Sequence, residues 1–451
     1  MGIIDLFLRS GFLKPSFARG IHPPQHKETG HTPIRRMPFA SRLTVPLSQH
    51  LGKPARAIVV AGQEVLRGEL IAEADGYVSA PVHAPVSGVV EAVELRPTMN
   101  GTWQPSIVIH AYESATQEVL FGEAVDLDAL TAEQVIQRVQ ESGMVGLGGA
   151  AFPTHAKLAA PREHPITHLL VNGCECEPFL TADHRMMVEW PQHLVAGIKL
   201  AMKACGAKRA MIGVEDNKPD AIAAIAAALP EDGDITVHAV RTKYPQGAEP
   251  MLISALLERE LPAGMRPYQM GVVMQNVGTL AEIGRLLPRR HGLTERVVTV
   301  SGPTVAKPGN YLVPIGTPLR FVLEQVGVAH DAVEVILGGP MMGNAVASLD
   351  VPVTKAVSGI LVFDRSAMEA RQGNVHPCIK CGECVNACPK GLNPSMLGML
   401  AARREYDAMA ENYHLEGCFE CGCCSYVCPS NIPLVQQFRI AKQIVRERQA
   451  A

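Results

Sequence analysis

The chain has 451 residues, 47% of them hydrophobic and 19% charged, with a net charge of −3. That length predicts three or four domains, and that composition permits large buried cores. A near-neutral balance without a long basic run argues against a nucleic-acid partner, and no apolar stretch approaches the roughly 20 residues needed to span a bilayer.

Residues 1–40 read as an irregular arm. Ile3, Ile4, Leu6, Phe7, Leu8, Phe12 and Leu13 suit one short apolar helix, followed by the Pro-rich Gly20-Ile-His-Pro-Pro24. Residues 41–118 read as short strands punctuated by Gly and Pro. Gly62-Gln-Glu-Val-Leu-Arg-Gly68 and Ala84-Pro-Val-Ser-Gly-Val-Val90 resemble the halves of a biotinyl- or lipoyl-type barrel-sandwich. The turn between the halves, Ser79-Ala-Pro-Val-His83, has no attachment lysine, so this is a scaffold and not a swinging arm.

Residues 119–290 change to an α/β pattern. Thr131 and Gln134 form a capping box for a helix through Glu141. Apolar runs at 166–171, 209–214 and 235–240 predict strands, and the Ala-rich stretch 219–229 predicts a crossover helix, hence a parallel sheet. Residues 291–355 return to strands around a helix at 319–326 and read as a β-grasp module. The remainder, 356–451, carries the cysteines and a C-terminal helix over 434–449.

Four stretches of the α/β region carry polar chemistry. Helix 131–142 runs into Gly143-Met-Val-Gly-Leu-Gly-Gly-Ala-Ala-Phe-Pro153, with Lys157 four residues on. Glycines there let backbone amides approach a phosphate or a flat ring. No Lys-Ser/Thr follows directly, so it is no P-loop, and a preceding helix excludes the dinucleotide fingerprint. Alone, such a cluster reads as a tight turn. However, three strands end in Asn172-Gly-Cys-Glu175-Cys-Glu177-Pro178, Tyr244-Pro-Gln-Gly247-Ala-Glu249 and Gln275-Asn276-Val-Gly278-Thr279. Carboxyl ends of parallel strands are where such folds place ligands.

Eight of the 12 cysteines form two copies of one pattern: Cys378, Cys381, Cys384 and Cys388-Pro389, then Cys418, Cys421, Cys424 and Cys428-Pro429. This spacing binds two four-iron, four-sulfur clusters, the fourth cysteine of each run serving the other cluster. One cluster then takes Cys378, Cys381, Cys384 and Cys428; the other takes Cys418, Cys421, Cys424 and Cys388. Structural zinc needs a different spacing, and disulfides need an oxidising compartment that reduced cysteines and the absence of a signal peptide disfavour. Cys174, Cys176, Cys205 and Cys423 read as small packing residues.

Gly146-Leu-Gly-Gly-Ala-Ala-Phe-Pro-Thr-His-Ala-Lys157 with Asn172-Gly-Cys-Glu-Cys-Glu-Pro178 resembles the flavin- and NADH-binding subunit of respiratory complex I. A closer resemblance is to the RnfC family, the C subunit of the Rnf electron-transport complex. It rests also on Gly20-Ile-His-Pro-Pro24, Gly213-Val-Glu-Asp-Asn-Lys-Pro219, Met274-Gln-Asn-Val-Gly278, Gly338-Gly-Pro340 and Cys428-Pro-Ser-Asn-Ile-Pro433, and spans roughly residues 20–440. The resemblance implies a multidomain α/β and α+β chain: barrel-sandwich, flavin/NAD-binding α/β domain, β-grasp module of the soluble-ligand-binding type, and a two-cluster ferredoxin. It further implies that Gly146, Gly148, Gly149, Lys157, Asn172 and Asn276 hold non-covalent FMN. Phe152, Glu175, Glu177, Tyr244 and Glu249 would line the nicotinamide side, with Gly247 among the cofactor-binding residues and Glu175 and Glu177 catalytic. Ala151 stands where these families usually have Gly, and Cys174 where they have Ala or Asp.

The function so implied is an NADH oxidoreductase subunit of an ion-translocating membrane complex, peripheral on the cytoplasmic side of the bacterial inner membrane. Its partners would be the other subunits, a ferredoxin-like one included, with membrane contact only through them. Two rivals remain open from sequence: a soluble flavin/iron–sulfur reductase of the cobalamin-reductase type, and a relay whose flavin site is vestigial.

Overall fold

The computed structural model describes residues 14–99, 101–161, 163–328, 333–371 and 373–450. The apolar helix expected before residue 14 lies outside the described residues.

Two small sheets form the first module. One runs in the order Arg42–Pro46, Trp103–Ala111, Gly88–Pro97, Glu64–Val65; the other joins Arg56–Ala57, Leu70–Glu73 and Val82–His83. Alternating apolar residues on short strands need a second sheet to cover them. Leu43, Val45, Val65, Ile71, Val82, Val90, Ile107 and Ile109 meet in that shared core.

The α/β module is a four-stranded parallel sheet in the order Ile235–Val240, Arg209–Glu215, His168–Gly173, Val272–Asn276. The expected crossover helix is Pro219–Ala228, between strands Arg209–Glu215 and Ile235–Val240. Helix Ala132–Glu141 starts with the expected box, the Thr131 hydroxyl accepting from the Gln134 amide and the Gln134 side chain returning to Thr131. Chain order reverses at His168–Gly173: the next strand lies on one side and Val272–Asn276 on the other. This is the switch point at which open sheets leave a crevice. Beside it, helices Pro191–Cys205 and Val277–Leu286 touch backbone to backbone. A Cβ on Gly197 would lie 1.8 Å from the Leu280 carbonyl oxygen, so only glycine permits the approach.

The third module is a six-stranded sheet, Arg35–Arg36, Gly309–Pro314, Glu295–Ser301, Gly359–Asp364, Val333–Leu337, Asn344–Ala345, with helix Leu319–Gln325 packed on it. It exceeds the expected limits of 291–355 at both ends. Strand Gly359–Asp364 pairs with Val333–Leu337 and with Glu295–Ser301, and Arg35–Arg36 of the arm adds an edge. The fully buried Ile360 and Val362 supply the core contacts that hold the extra strand. The cysteine module packs short helices around Leu397, Met409, Leu415, Leu434 and Phe438, closed by helix Leu434–Ala450.

Polar groups join the modules. The buried Glu295 carboxylate receives Arg36 at 2.7 Å and Arg67 at 2.5 Å, with Arg285 at 3.6 Å. Burial alone would raise its pKa, but the three guanidiniums outweigh burial and hold it below the usual range. Lys355 is wholly buried, its ammonium donating to the Pro81 and Gly143 carbonyls at 2.8 and 2.7 Å. Residues 14–34 act as a strap. Ile21 pairs with Tyr244, the Gly20 amide donates to Ala387, and the Lys27 ammonium is enclosed by the Glu175, Glu177 and Leu180 carbonyls.

Candidate functional site

Asn172 and Asn276 sit side by side at the ends of the two strands flanking the switch point. The Asn172 amide donates to the Gly247 carbonyl at 2.8 Å, and its oxygen accepts from the Cys174 amide. Asn276 caps helix Val277–Leu286 by accepting from the Thr279 amide, and its NH2 donates to Asp183 at 2.6 Å. Both side chains are therefore fixed before any ligand arrives.

The glycine loop lies over these two residues. Its neck is closed by the Gly146 amide donating to Phe152, and Leu147 is anchored by Thr279 and by the buried guanidinium of Arg296. A Cβ on Gly148 would press to 3.2 Å from Asn276, whereas Gly149 has φ +123° and open space where a side chain would be. Ala151 has φ +49°, a left-handed conformation that favours glycine.

Together these segments bound a cavity of about 690 Å³. Gly148, Gly149, Asn172, Glu175, Glu177, Tyr244, Gly247, Glu249 and Asn276 all line it. Gly146, Phe152 and Lys157 are not among its lining residues; Lys157 instead pairs with Glu249 at 2.5 Å. The other modules contribute walls too: Met99 from the first, Gly338, Gly339 and Met342 from the third, Lys390 and Phe419 from the cysteine module.

The two carboxylates that sequence groups as a pair have separate tasks. Glu175 accepts the Asp183 and His184 amides at 3.0 and 3.1 Å, so both its oxygens cap the start of helix Ala182–Glu189. Glu177 accepts the Met341 amide at 3.0 Å with one oxygen; its other oxygen is buried without a partner. Burial pushes the Glu177 pKa up to about 7. A Cβ on Gly339 would fall 2.2 Å from this carboxylate, so glycine is required where the third module closes on it.

Sequence reasoning missed several residues. Asp183 is half-buried beside Glu175, and desolvation followed by that neighbour raises its pKa to about 7. It lies beyond Pro178, outside the polar stretch that the sequence singles out. Lys27 and Arg296 carried no local signal, because each acts on a segment more than 140 residues away.

The residues fit a flavin. Bare glycine backbone, two pre-set amides and a mixed polar and apolar wall suit a flat phosphorylated ring, and the volume lies in the range of small-molecule sites. The cysteine loops also fit clusters. Both copies have the same backbone turn, Lys380 and Glu420 at φ +56° and +63°, Gly382 and Gly422 at +83° and +85°. The fold brings Cys388 electrostatically close to Cys418, Cys421 and Cys424, although it belongs to the other run. Cys384 lies close to Cys381 and Cys378. Cys423 is fully buried and packs with Tyr244 and Ile21.

A buried ring connects the cavity to the second copy. Tyr244 lines the cavity, and its hydroxyl donates to the Cys421 carbonyl at 2.7 Å. Phe419, between Cys418 and Cys421, also lines the cavity, in the same apolar cluster as Tyr244.

Comparison with known proteins follows the same division. Residues 15–114 match the RnfC barrel sandwich hybrid domain, 139–285 the Nuo51 FMN-binding domain, 297–345 the SLBB domain and 377–432 the 4Fe-4S dicluster domain. The chain is 41% identical over 400 residues to the C subunit of the Na(+)-translocating ferredoxin:NAD(+) oxidoreductase complex of Acetobacterium woodii, covering 88% of this chain and 90% of that one. It is 40% identical over 404 residues to the C subunit of the proton-translocating ferredoxin:NAD(+) oxidoreductase complex of Clostridium ljungdahlii, covering 89% and 87%. A solved NAD+-reducing NiFe hydrogenase in the air-oxidised state superimposes with a TM-score of 0.50 at 21% identity, over 70% of this chain and 66% of that one, a likeness of fold.

Proposed function

The chain belongs to the RnfC family, the C subunits of Rnf complexes, and from that membership we propose that it is the NADH-facing electron-transfer subunit of a membrane-bound, ion-translocating oxidoreductase complex. It works with the complex's other subunits, a ferredoxin-like one among them, on the cytoplasmic side of the bacterial inner membrane. Among the described residues no helix is long and apolar enough to cross a membrane, in keeping with contact through partners. The observation that carries the reading is the cavity at the sheet's switch point, walled on one side by Phe419 and joined through Tyr244 to Cys421.

When bound, FMN exchanges a hydride's two electrons with a nicotinamide, and 4Fe-4S clusters carry them singly. The chain's own residues supply the rest. Gly148 and Gly149 present bare backbone, Asn172 and Asn276 offer amide groups held by neighbours, and Gly247 leaves room beside them. Glu177 keeps one unpartnered oxygen at the cavity wall, able to hold a proton near neutral pH. Glu175 positions helix Ala182–Glu189 and with it Asp183. Lys157 acts by holding Glu249 in the wall. Carboxylates at this wall disfavour a 2′-phosphate, so NADH is the expected nucleotide.

Anaerobic stopped-flow mixing of the isolated, flavin-loaded chain with each nucleotide tests this. Flavin bleaching by NADH faster than by NADPH is expected. Equal rates would remove the selectivity, and no bleaching by either would leave a relay without nucleotide chemistry.

A further inference from the structure

The two cysteine copies align residue for residue in sequence, yet among the described residues only the second is covered. In the second copy, Phe419 packs into an apolar cluster with Tyr244, Ile21 and Met341. Glu420 is paired with Arg439 at 3.1 Å and Lys442 at 3.0 Å. Gly422 lies under Met341, whose carbonyl oxygen would sit 2.9 Å from an added Cβ. Each of these positions has its counterpart in the first copy. Ile379 replaces Phe419 and is 68% exposed. Lys380 replaces Glu420, is exposed, and has no ion pair among the described residues. Gly382 replaces Gly422, and nothing lies within 4 Å of the space a side chain would fill. Residues 373–381 are all exposed, Cys378, Cys381 and Val375 included, and Val375 reaches 63%.

We propose that this bare first-copy face, centred on Ile379, Lys380 and Val375, is the docking surface for a redox subunit of the same complex. The second copy shows what such a loop looks like when covered: an apolar residue seated in a neighbouring module, a charge paired, a glycine overlaid. The arm, the flavin and third modules and helix Leu434–Ala450 provide that cover for the second copy; among the described residues nothing does the same for Ile379, Lys380 and Gly382. The occupant is a protein that exchanges single electrons, because the thiols at this face belong to a one-electron group. It presents an apolar patch to Val375 and Ile379 and a carboxylate to Lys380, the reverse of the Glu420–Arg439 pairing. Exposed apolar side chains beside a reactive group favour a protein cover over open solvent.

This inference rests on the reading of the chain as an electron-transfer subunit. The test uses the assembled complex, purified through a tag on another subunit, with wild type, Val375→Glu and Lys380→Glu. Val375 lies outside the cysteine run, so iron and flavin content and NADH-driven ferricyanide reduction of the isolated variant should match wild type. Retention of the Val375→Glu chain in the complex, or electron delivery beyond it, should fall about tenfold, as for loss of an interface anchor. Lys380→Glu should lower retention most at low salt. Wild-type retention and delivery in both variants would overturn the proposal. So would wild-type self-association of the isolated chain, or binding to phospholipid vesicles, that Val375→Glu abolishes, because the occupant would then be a second copy or a lipid surface. An isolated wild-type chain that NADH does not reduce would sink the functional reading instead.

Discussion

The flavin cavity and the cysteine module prepare their ligand sites by opposite means. The cavity is shaped by packing: Asn172, Asn276, Arg296 and Lys27 are fixed by hydrogen bonds from segments far apart in sequence. The cysteine module has a small core, helices of a few turns at most apart from Leu434–Ala450, and thiols whose spacing makes sense only around a cluster. Damage to module packing should therefore empty the flavin site and spare iron, and damage to a thiol should do the reverse.

The largest effect should come from the crossed ligands. Cys388→Ser should remove the cluster of Cys418, Cys421 and Cys424, leaving about four irons of about eight. Cys428→Ser should remove the other cluster, and Cys423→Ser neither. Iron analysis and EPR of anaerobic samples would show it. Loss of the cluster in the mutated run itself would refute the crossed assignment and weaken the contrast.

Glu295→Gln attacks packing instead. Breaking a buried pair of this kind costs about 3–5 kcal/mol, so thermal unfolding of the flavin-holding modules should begin earlier, with iron content normal at low temperature. The wild-type carboxylate contributes stability above its unfolded pKa of about 4.3 and loses it as pH falls toward the depressed folded value. Acid titration of the melting temperature should thus be flatter in the variant below about pH 4.

Gly247→Ala should act locally. Its Cβ would stand 2.6 Å from the Cys174 carbonyl oxygen and beside Asn172. Flavin retention after gel filtration should drop about tenfold, corresponding to roughly 1.4 kcal/mol. Unchanged retention would show that the crevice is less rigid than its hydrogen bonds imply.

Tyr244→Phe removes only the hydroxyl bonded to Cys421, a loss of about 1 kcal/mol. Flavin and iron content should hold, while the EPR line shape or potential of one cluster shifts. The smallest effect is a gain. Ala151→Gly relieves a left-handed alanine and should stabilise by about 1 kcal/mol or less, since glycine also loosens the unfolded chain.

Much of the cysteine module was legible because its chemistry is local. Spacing along each run marks the candidate thiols, and the turn residues repeat in both copies. The strand ends were legible for a related reason: a parallel sheet delivers Asn172, Gly247 and Asn276 to one edge whatever the details above them. Side-chain direction was not legible. Glu175 and Glu177 are two residues apart and look equivalent, yet one caps a helix and the other meets the Gly338–Gly343 loop. That split depends on helix Ala182–Glu189 starting at once after the loop and on a module more than 150 residues later. The ion pair of Lys157 was not legible either, because its partner Glu249 opens helix Glu249–Leu257, more than 90 residues later. The limit at 355 failed since strand Gly359–Asp364 is added to its sheet by long-range pairing.

The central claim is that electrons taken from NADH in the cavity leave through the thiol set that includes Cys388. Anaerobic stopped-flow of the Cys388→Ser chain against NADH, following flavin and cluster absorbance together, addresses it directly. Flavin should bleach at the wild-type rate while the remaining cluster, held by Cys378, Cys381, Cys384 and Cys428, is reduced far more slowly. Reduction of that remaining cluster at the wild-type rate would contradict the account.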